Sequence, residues 1–74
     1  MNKIRRKRLT EAIDLISQAK DILEEVKDEE QEAYDNLPES FQYGERGEQM
    51  QEYIDSMDEA YENLEEVEYI LGDI

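Results

Sequence analysis

The chain has 74 residues, of which 38% are hydrophobic and 41% charged, and its 8 basic and 22 acidic side chains give a net charge of −14 at pH 7. A chain of this length forms one small domain at most. The absence of Cys, His and Trp excludes disulfide frameworks, Ser-His nucleophiles and thiolate or imidazole metal sites, and no apolar run is long enough to span a membrane. We therefore expect an all-α, cytoplasmic protein that is not an enzyme, needs no cofactor and has no membrane partner.

The first predicted element is a helix over about residues 3–36. With Leu9 taken as position a of a heptad, apolar side chains recur at a and d with the 3-4 spacing of a helix. They are Leu9, Ile16, Leu23 and Leu37 at a, and Ala12, Ala19, Val26 and Ala33 at d. Asn36-Leu37-Pro38 ends the helix, because the residue before a proline is disfavoured in the α conformation.

The second predicted element is a helix over about residues 45–71, after a turn at 37–44. In this turn Pro38 can begin a short helical segment, and Phe41 is expected to cap the end of the helical bundle. With Met50 taken as position a, the frame reads Met50, Met57, Leu64 and Leu71 at a, and Tyr53, Ala60, Val67 and Ile74 at d. Gly72 is predicted to end the helix in the left-handed conformation that glycine tolerates.

The short connection predicts an antiparallel two-helix hairpin, with positions a and d of both helices in the seam between them. Further apolar residues at e and g make this stripe wider than one neighbouring helix requires. The extra residues predicted to form a seam between subunits are Ile13, Leu15, Ile22, Ile54, Tyr61 and Ile70. We therefore expect two hairpins to pair into a four-helix bundle, which makes a second copy of the chain one predicted partner.

The predicted N-terminal overhang, residues 1–8, contains five basic residues and no acid. Binding of nucleic acid phosphates by this basic segment is opposed by the acidic remainder of the chain, and a membrane tether would need a larger apolar face. Two interpretations stay open. The segment either lies beside the acidic end of the second helix and balances its charge, or docks onto an acidic patch of a partner.

The acidic surface is the largest feature of the sequence. Glu24-Glu25-x-x-Asp28 and Glu52-x-x-Asp55 resemble the metal-binding carboxylates of helical nucleotide pyrophosphohydrolases, but the heptad phase turns them outward, so no metal site is predicted. Outward carboxylates on rigid helices can instead mimic nucleic acid and bind a basic protein, or they can serve solubility alone. The predicted partner-binding residues are Glu25, Asp28, Glu52, Asp55, Glu59, Glu62 and Glu66, with Tyr69 as an exposed aromatic anchor.

The turn and its flanks, Asp35-Asn36-Leu37-Pro38-Glu39-Ser40 through Glu45-Arg46-Gly47-Glu48, resemble small acidic helical proteins encoded by phages and prophages of Gram-positive bacteria. The resemblance covers most of the chain and implies no catalytic residue. It implies a phage accessory or counter-defence protein that binds and inhibits a host protein in the host cytoplasm. The alternative function is that of a structural or assembly protein acting through its own helical oligomer.

Overall fold

The computed structural model describes residues 1–74 and is all-helical, with 88% helix and no strand. Helix α1 spans Lys3–Asp35, the short helix α2 spans Glu39–Gln42, and helix α3 spans Glu45–Gly72. Helices α1 and α3 are antiparallel and pack against each other along their length. The predicted pair of long helices is therefore confirmed, and the predicted boundaries agree within one residue.

Helix α1 begins at a side-chain cap and ends at the residues before the proline. The side chain of Asn2 accepts a hydrogen bond of 2.8 Å from the backbone N–H of Arg5, which satisfies one of the free donors at a helix start. At the other end, the backbone N–H of Leu37 donates to the carbonyl of Tyr34, and Pro38 then provides no N–H with which the helix could continue.

The turn is fixed by Gln42 and Gly47. The Nε2 atom of Gln42 donates to the backbone carbonyl of Tyr34 at 3.0 Å and so joins α2 to the end of α1. Gly47 is buried, and a Cβ atom there would collide with the backbone carbonyl of Gln42. Phe41 is 54% exposed, so the hairpin by itself does not bury it, and its place at the end of a bundle stays a prediction.

The hairpin is thin and long, with extents of 58 × 15 × 12 Å. Its radius of gyration of 17.1 Å exceeds the value of about 11 Å for a compact chain of this length. Only Gly47, Met50 and Ile54 are buried, all in α3 near the turn. Two helices alone enclose almost no core.

The seam between α1 and α3 is formed by positions a and e, which corrects the predicted a/d seam. At positions a and e, half-buried or buried side chains recur at Leu9, Ile13, Ile16, Lys20, Leu23, Lys27, Glu30 and Tyr34 in α1, at Leu37 just after it, and at Met50, Ile54, Met57, Tyr61, Leu64, Glu68 and Leu71 in α3. Position d is largely exposed, as at Val26, Tyr53, Val67 and Ile74. The a/e phase places the large side chains Ile54 and Tyr61 between the helices, where the a/d phase would place Ala60.

The C-terminal end of α3 also differs from the prediction. Gly72 is the last helical residue, Asp73 caps the helix with right-handed backbone angles, and no glycine has a positive φ. The backbone N–H of Asp73 donates to the carbonyl of Ile70 and that of Ile74 to the carbonyl of Leu71. The left-handed glycine closure is therefore wrong, since the last turn tightens to three-residue hydrogen bonds instead.

Candidate protein-interaction face

Heptad positions d and g of α1 and α3 lie on the same side of the hairpin. Successive residues of a helix are rotated by about 100°, so d and g centre roughly 110° to one side of the direction defined by a and e. Because α1 and α3 run in opposite directions, this rotation has the opposite sense in each of them. The two d/g stripes therefore face the same way and form one continuous surface, called the apolar face below.

The apolar face is hydrophobic and open to solvent. Leu15 is 64% exposed, Ile22 60% and Ile70 55%. The hydrophobic residues of the face are Ala12, Leu15, Ala19, Ile22, Val26 and Ala33 from α1, and Tyr53, Ala60, Val67, Ile70 and Ile74 from the α3 side. On α1 the stripe is unbroken and exposed from Leu15 to Val26, whereas on α3 it is interrupted by Gln49, Ser56 and Asn63. Contiguous exposed apolar surface, as on α1, marks protein interaction sites.

The same face carries charges at its two ends. Arg5 and Arg8 occupy positions d and g in the first turns of α1, Glu29 occupies position g near its other end, and Arg46 occupies position d in the first turn of α3. All four residues are exposed. The only two ion pairs in the chain are Lys20–Glu68 and Lys27–Asp58, so these four charged side chains have no ion-pair partner within the hairpin.

The predicted subunit seam is divided between two surfaces. Leu15, Ile22 and Ile70 lie on the exposed apolar face. Ile13 and Tyr61 are half-buried and Ile54 is buried between α1 and α3. These three belong to the hairpin itself, because position e faces the partner helix in the observed phase.

The seam contains two charged pairs among its apolar side chains. The Nζ atom of Lys20 lies 3.0 Å from Oε1 of Glu68 and 4.9 Å from the centre of the Tyr61 ring. The Nζ atom of Lys27 lies 2.8 Å from Oδ1 of Asp58. The side-chain hydrogen bond to Glu68 raises the pKa of Lys20, and the hydrogen bond to Asp58 raises the pKa of Lys27. In both lysines partial desolvation lowers the pKa, but by less than the hydrogen bond raises it.

The predicted partner-binding carboxylates lie on the outer sides of the two helices. Positions c and f point about 150° away from the seam, so they form two separate flanks, which we call the acidic flanks. Their members are Glu25 and Asp28 on α1, and Glu52, Asp55, Glu59, Glu62 and Glu66 on α3, all exposed. Tyr69 is 80% exposed on the α3 flank. Among the 22 acids, only Asp58 and Glu68 take part in ion pairs.

The basic segment lies beside the end of α3, as one interpretation of the sequence expected, but it forms no ion pair with the acidic side chains there. Its one link to that end is a hydrogen bond of 3.1 Å from Nη1 of Arg6 to the backbone oxygen of Ile74. Glu68, one of the acids near that end, is paired with Lys20. The remaining basic side chains of the segment point into solvent.

Sequence reasoning missed the two residues that hold the turn. Arg46, the cation nearest the turn, forms no ion pair, whereas Gln42 makes the hydrogen bond to the end of α1. Sequence reasoning also missed that the close contact at Gly47 requires glycine. The available signal for that contact was the position of Gly47 in the helical frame, three residues before the core residue Met50.

The remaining surface offers little for small ligands. The largest depression is open and lined only by polar side chains, Glu45, Arg46, Glu48, Gln49 and Glu52. No group of three or more acidic, Cys or His side chains is arranged to hold a metal ion.

None of the three helices combines the length and the apolar character that crossing a membrane would require. Comparison of the chain with protein-family models, with curated proteins and with solved structures finds no significant match.

Proposed function

We propose that this chain is a non-enzymatic interaction protein, and that its apolar face pairs with that of a second copy to complete a four-helix bundle. The observation that carries this proposal is the exposure of Leu15, Ile22 and Ile70 on one side of a hairpin that buries only Met50 and Ile54 as hydrophobic core. Two buried hydrophobic side chains make a small core even for a domain of this length. A second copy would cover both faces at once.

The solvent-accessible area of the hairpin supports an interface of this size. A compact monomer of 8.8 kDa exposes about 4,800 Å² by the scaling of folded proteins. The chain exposes 5954 Å², an excess of roughly 1,200 Å² over that scaling. A protein–protein interface of standard size removes about 800 Å² from each partner. Pairing would therefore bring each chain close to the exposed area of a compact protein.

The net charge of −14 makes two copies repel each other, but it does not oppose contact at the face itself. The acidic flanks are turned away from the apolar face, so pairing leaves their carboxylates in water. The repulsion acts through solvent, where salt at 0.1 M screens it beyond about 10 Å. We therefore expect association to tighten as the salt concentration rises.

Sedimentation velocity across a concentration series tests the proposal. The wild-type chain should sediment as a dimer at micromolar concentration, and the variant with Leu15→Gln and Ile22→Gln should sediment as a monomer while far-UV circular dichroism shows unchanged helicity. Tyr69→Gln is the matched control, because it removes an exposed aromatic side chain from outside the face and should leave the dimer intact. A wild-type chain that stays monomeric at high concentration would contradict the proposal.

A second candidate function is inhibition of a basic, nucleic-acid-binding host protein by the acidic flanks. The observation that favours it is that 20 of the 22 acids lack an ion-pair partner. The flank on α3 places a carboxylate about every 5 Å along the axis, more sparsely than the phosphates of one DNA strand, which follow at about 3.4 Å. The apolar face therefore has the stronger physical support.

A binding assay would separate the two candidates. If the flanks form the binding surface, a basic host target should be released by moderate salt and displaced by duplex DNA. If the apolar face is the working surface, salt should strengthen the assembly, and duplex DNA should not affect it.

A further inference from the structure

We infer that the second copy docks head to tail, so that Arg8 of each copy forms an ion pair with Glu29 of the other. This inference rests on the proposed pairing of apolar faces and specifies its partner and its orientation. It follows from the order of residues along one stripe of α1 and from the position of the basic segment.

The α1 part of the face has opposite charges at its two ends. Its d and g positions read, in chain order, Arg5, Arg8, Ala12, Leu15, Ala19, Ile22, Val26, Glu29 and Ala33. Cations occupy one end, a single acid lies near the other, and every side chain between them is apolar. A stripe of this kind is complementary to a reversed copy of itself.

Full overlap of the two α1 helices in reversed copies brings the opposite charges together, while α3 overlaps its own copy only over its C-terminal part, because the pairs Lys20–Glu68 and Lys27–Asp58 set α3 toward the turn end of α1. Helix α1 spans Lys3–Asp35, so its midpoint is Ala19. A two-fold axis at this midpoint places Leu15 of one copy over the region of Ile22 in the other. It also places Arg8 within one residue of Glu29 along the helix axis. The small side chain of Ala19 lies at the axis itself, where the two helices approach most closely.

The head-to-head alternative lacks this complementarity. A two-fold axis parallel to the hairpin would lay α1 of one copy over α3 of the other. The d and g positions of α3 contain no acid, so Arg5 and Arg8 would meet no carboxylate on the face. It would also bring the two basic segments together at one end and the two acidic turns together at the other.

The charge distribution beyond the face favours the same orientation. The basic segment at residues 3–8 contains five cations and no acid. The turn end, residues 28–52, contains nine acids and the single cation Arg46. Head-to-tail docking places each basic segment beside the turn end of the other copy, where opposite charges attract and guide association.

A charge-reversal cycle on the dimer tests the ion pair. Arg8→Glu and Glu29→Arg should each raise the dissociation constant about 3- to 30-fold, since each variant loses two symmetric pairs and gains repulsion. The double variant with both changes should return to within about threefold of the wild type. Lys7→Glu and Asp28→Arg are the matched controls: they make the same changes in charge at adjacent f positions away from the face, so they weaken only the long-range attraction and should raise the dissociation constant less than Arg8→Glu and Glu29→Arg do. A double variant as weak as either single variant would overturn the ion pair.

Cross-linking reports the orientation directly. The chain has no cysteine, so Lys3→Cys and Ser40→Cys each introduce one reactive thiol at opposite ends of the hairpin. Head-to-tail docking predicts that a short bis-maleimide joins the two variants to each other in a mixture and joins neither to itself. Self-cross-linking of each variant would show head-to-head docking and overturn the inference while leaving the proposed function standing. A monomer in sedimentation would overturn both.

Discussion

The seam between α1 and α3 contains charged residues, whereas the apolar face exposes large hydrophobic ones. A hairpin that needs no partner would show the opposite arrangement, with apolar residues in the seam and charges on the surface. The seam contains Lys20, Lys27 and Glu30 at half-buried positions, whereas the face leaves Leu15 and Ile22 in solvent. Burial of apolar surface is the main favourable contribution to folding, and charged groups in a seam need partners. The hairpin seam is therefore the more polar of the two surfaces, which is what the proposed pairing of apolar faces leads us to expect.

Truncation of one isoleucine from each surface is the strongest test of that comparison. Ile54→Ala in the seam should lower the free energy of unfolding by about 2–4 kcal/mol, because the side chain is buried and leaves a cavity. Ile22→Ala on the face should change the stability of the dilute hairpin by less than about 0.5 kcal/mol and should weaken the dimer instead. Urea unfolding at low and high protein concentration measures both effects. Equal losses for the two variants at low concentration would remove the distinction between the surfaces.

Substitution of glycine at two positions tests how tightly the seam closes at the turn. Gly47→Ala should cost about 1–3 kcal/mol of stability, since its Cβ would overlap the carbonyl of Gln42 and force the turn to move. Gly72→Ala is the control, because nothing lies within 4 Å of its Cβ. It should be neutral or slightly stabilising. Thermal unfolding of both variants measures the contrast, and a stable Gly47→Ala variant would show that the turn is looser than described.

The hairpin could be predicted from the sequence because its periodicity and its proline were unambiguous, but the phase of the helices could not. Both a/d and a/e alternate by three and four residues, so spacing alone does not distinguish them. Lys20 and Lys27 made the a/e stripe look polar. The structure places them in the seam because each has an acid opposite it on α3. Such cross-helix pairing depends on the relative register of the helices, which a single sequence does not show.

The exposed residues of the apolar face could be predicted in part from the heptad pattern. Leu15, Ile22 and Ile70 were identified as surplus to a two-helix seam, and they are exposed. The charged ends of the face at Arg8 and Glu29 were missed, because in the a/d frame position d belonged to the hairpin and the d/g stripe was not considered as one surface. Once the seam is assigned to a and e, the stripe can be read directly from the sequence.

Neutralisation of the acidic flanks should have a smaller effect, and its sign distinguishes the two proposed functions. Conversion of the seven flank carboxylates to Gln or Asn should stabilise the helices by about 0.2–0.5 kcal/mol for each like-charged neighbouring pair removed. It should also tighten the dimer at low salt by reducing repulsion between copies. Thermal unfolding and sedimentation measure these two effects. Loss of binding to a basic target, with no change in self-association, would favour the flanks as the working surface.

The smallest expected effect concerns the two lysines in the seam and appears only at high pH. Contacts with Glu68 and Asp58 raise the pKa values of Lys20 and Lys27 above 10.5 in the folded chain. Their stabilisation is therefore fully present below the unfolded pKa and is lost as the pH rises through the folded pKa. The informative quantity is a difference between proteins that differ only at these two lysines. The stability of the wild type should fall more steeply above about pH 10 than that of a variant with Lys20→Met and Lys27→Met.

The control is Lys3→Met, which alters an exposed lysine without an ion pair and should follow the wild type. Parallel curves for the wild type and the double variant would show that these pairs add nothing to the seam, which would then depend on its apolar residues alone.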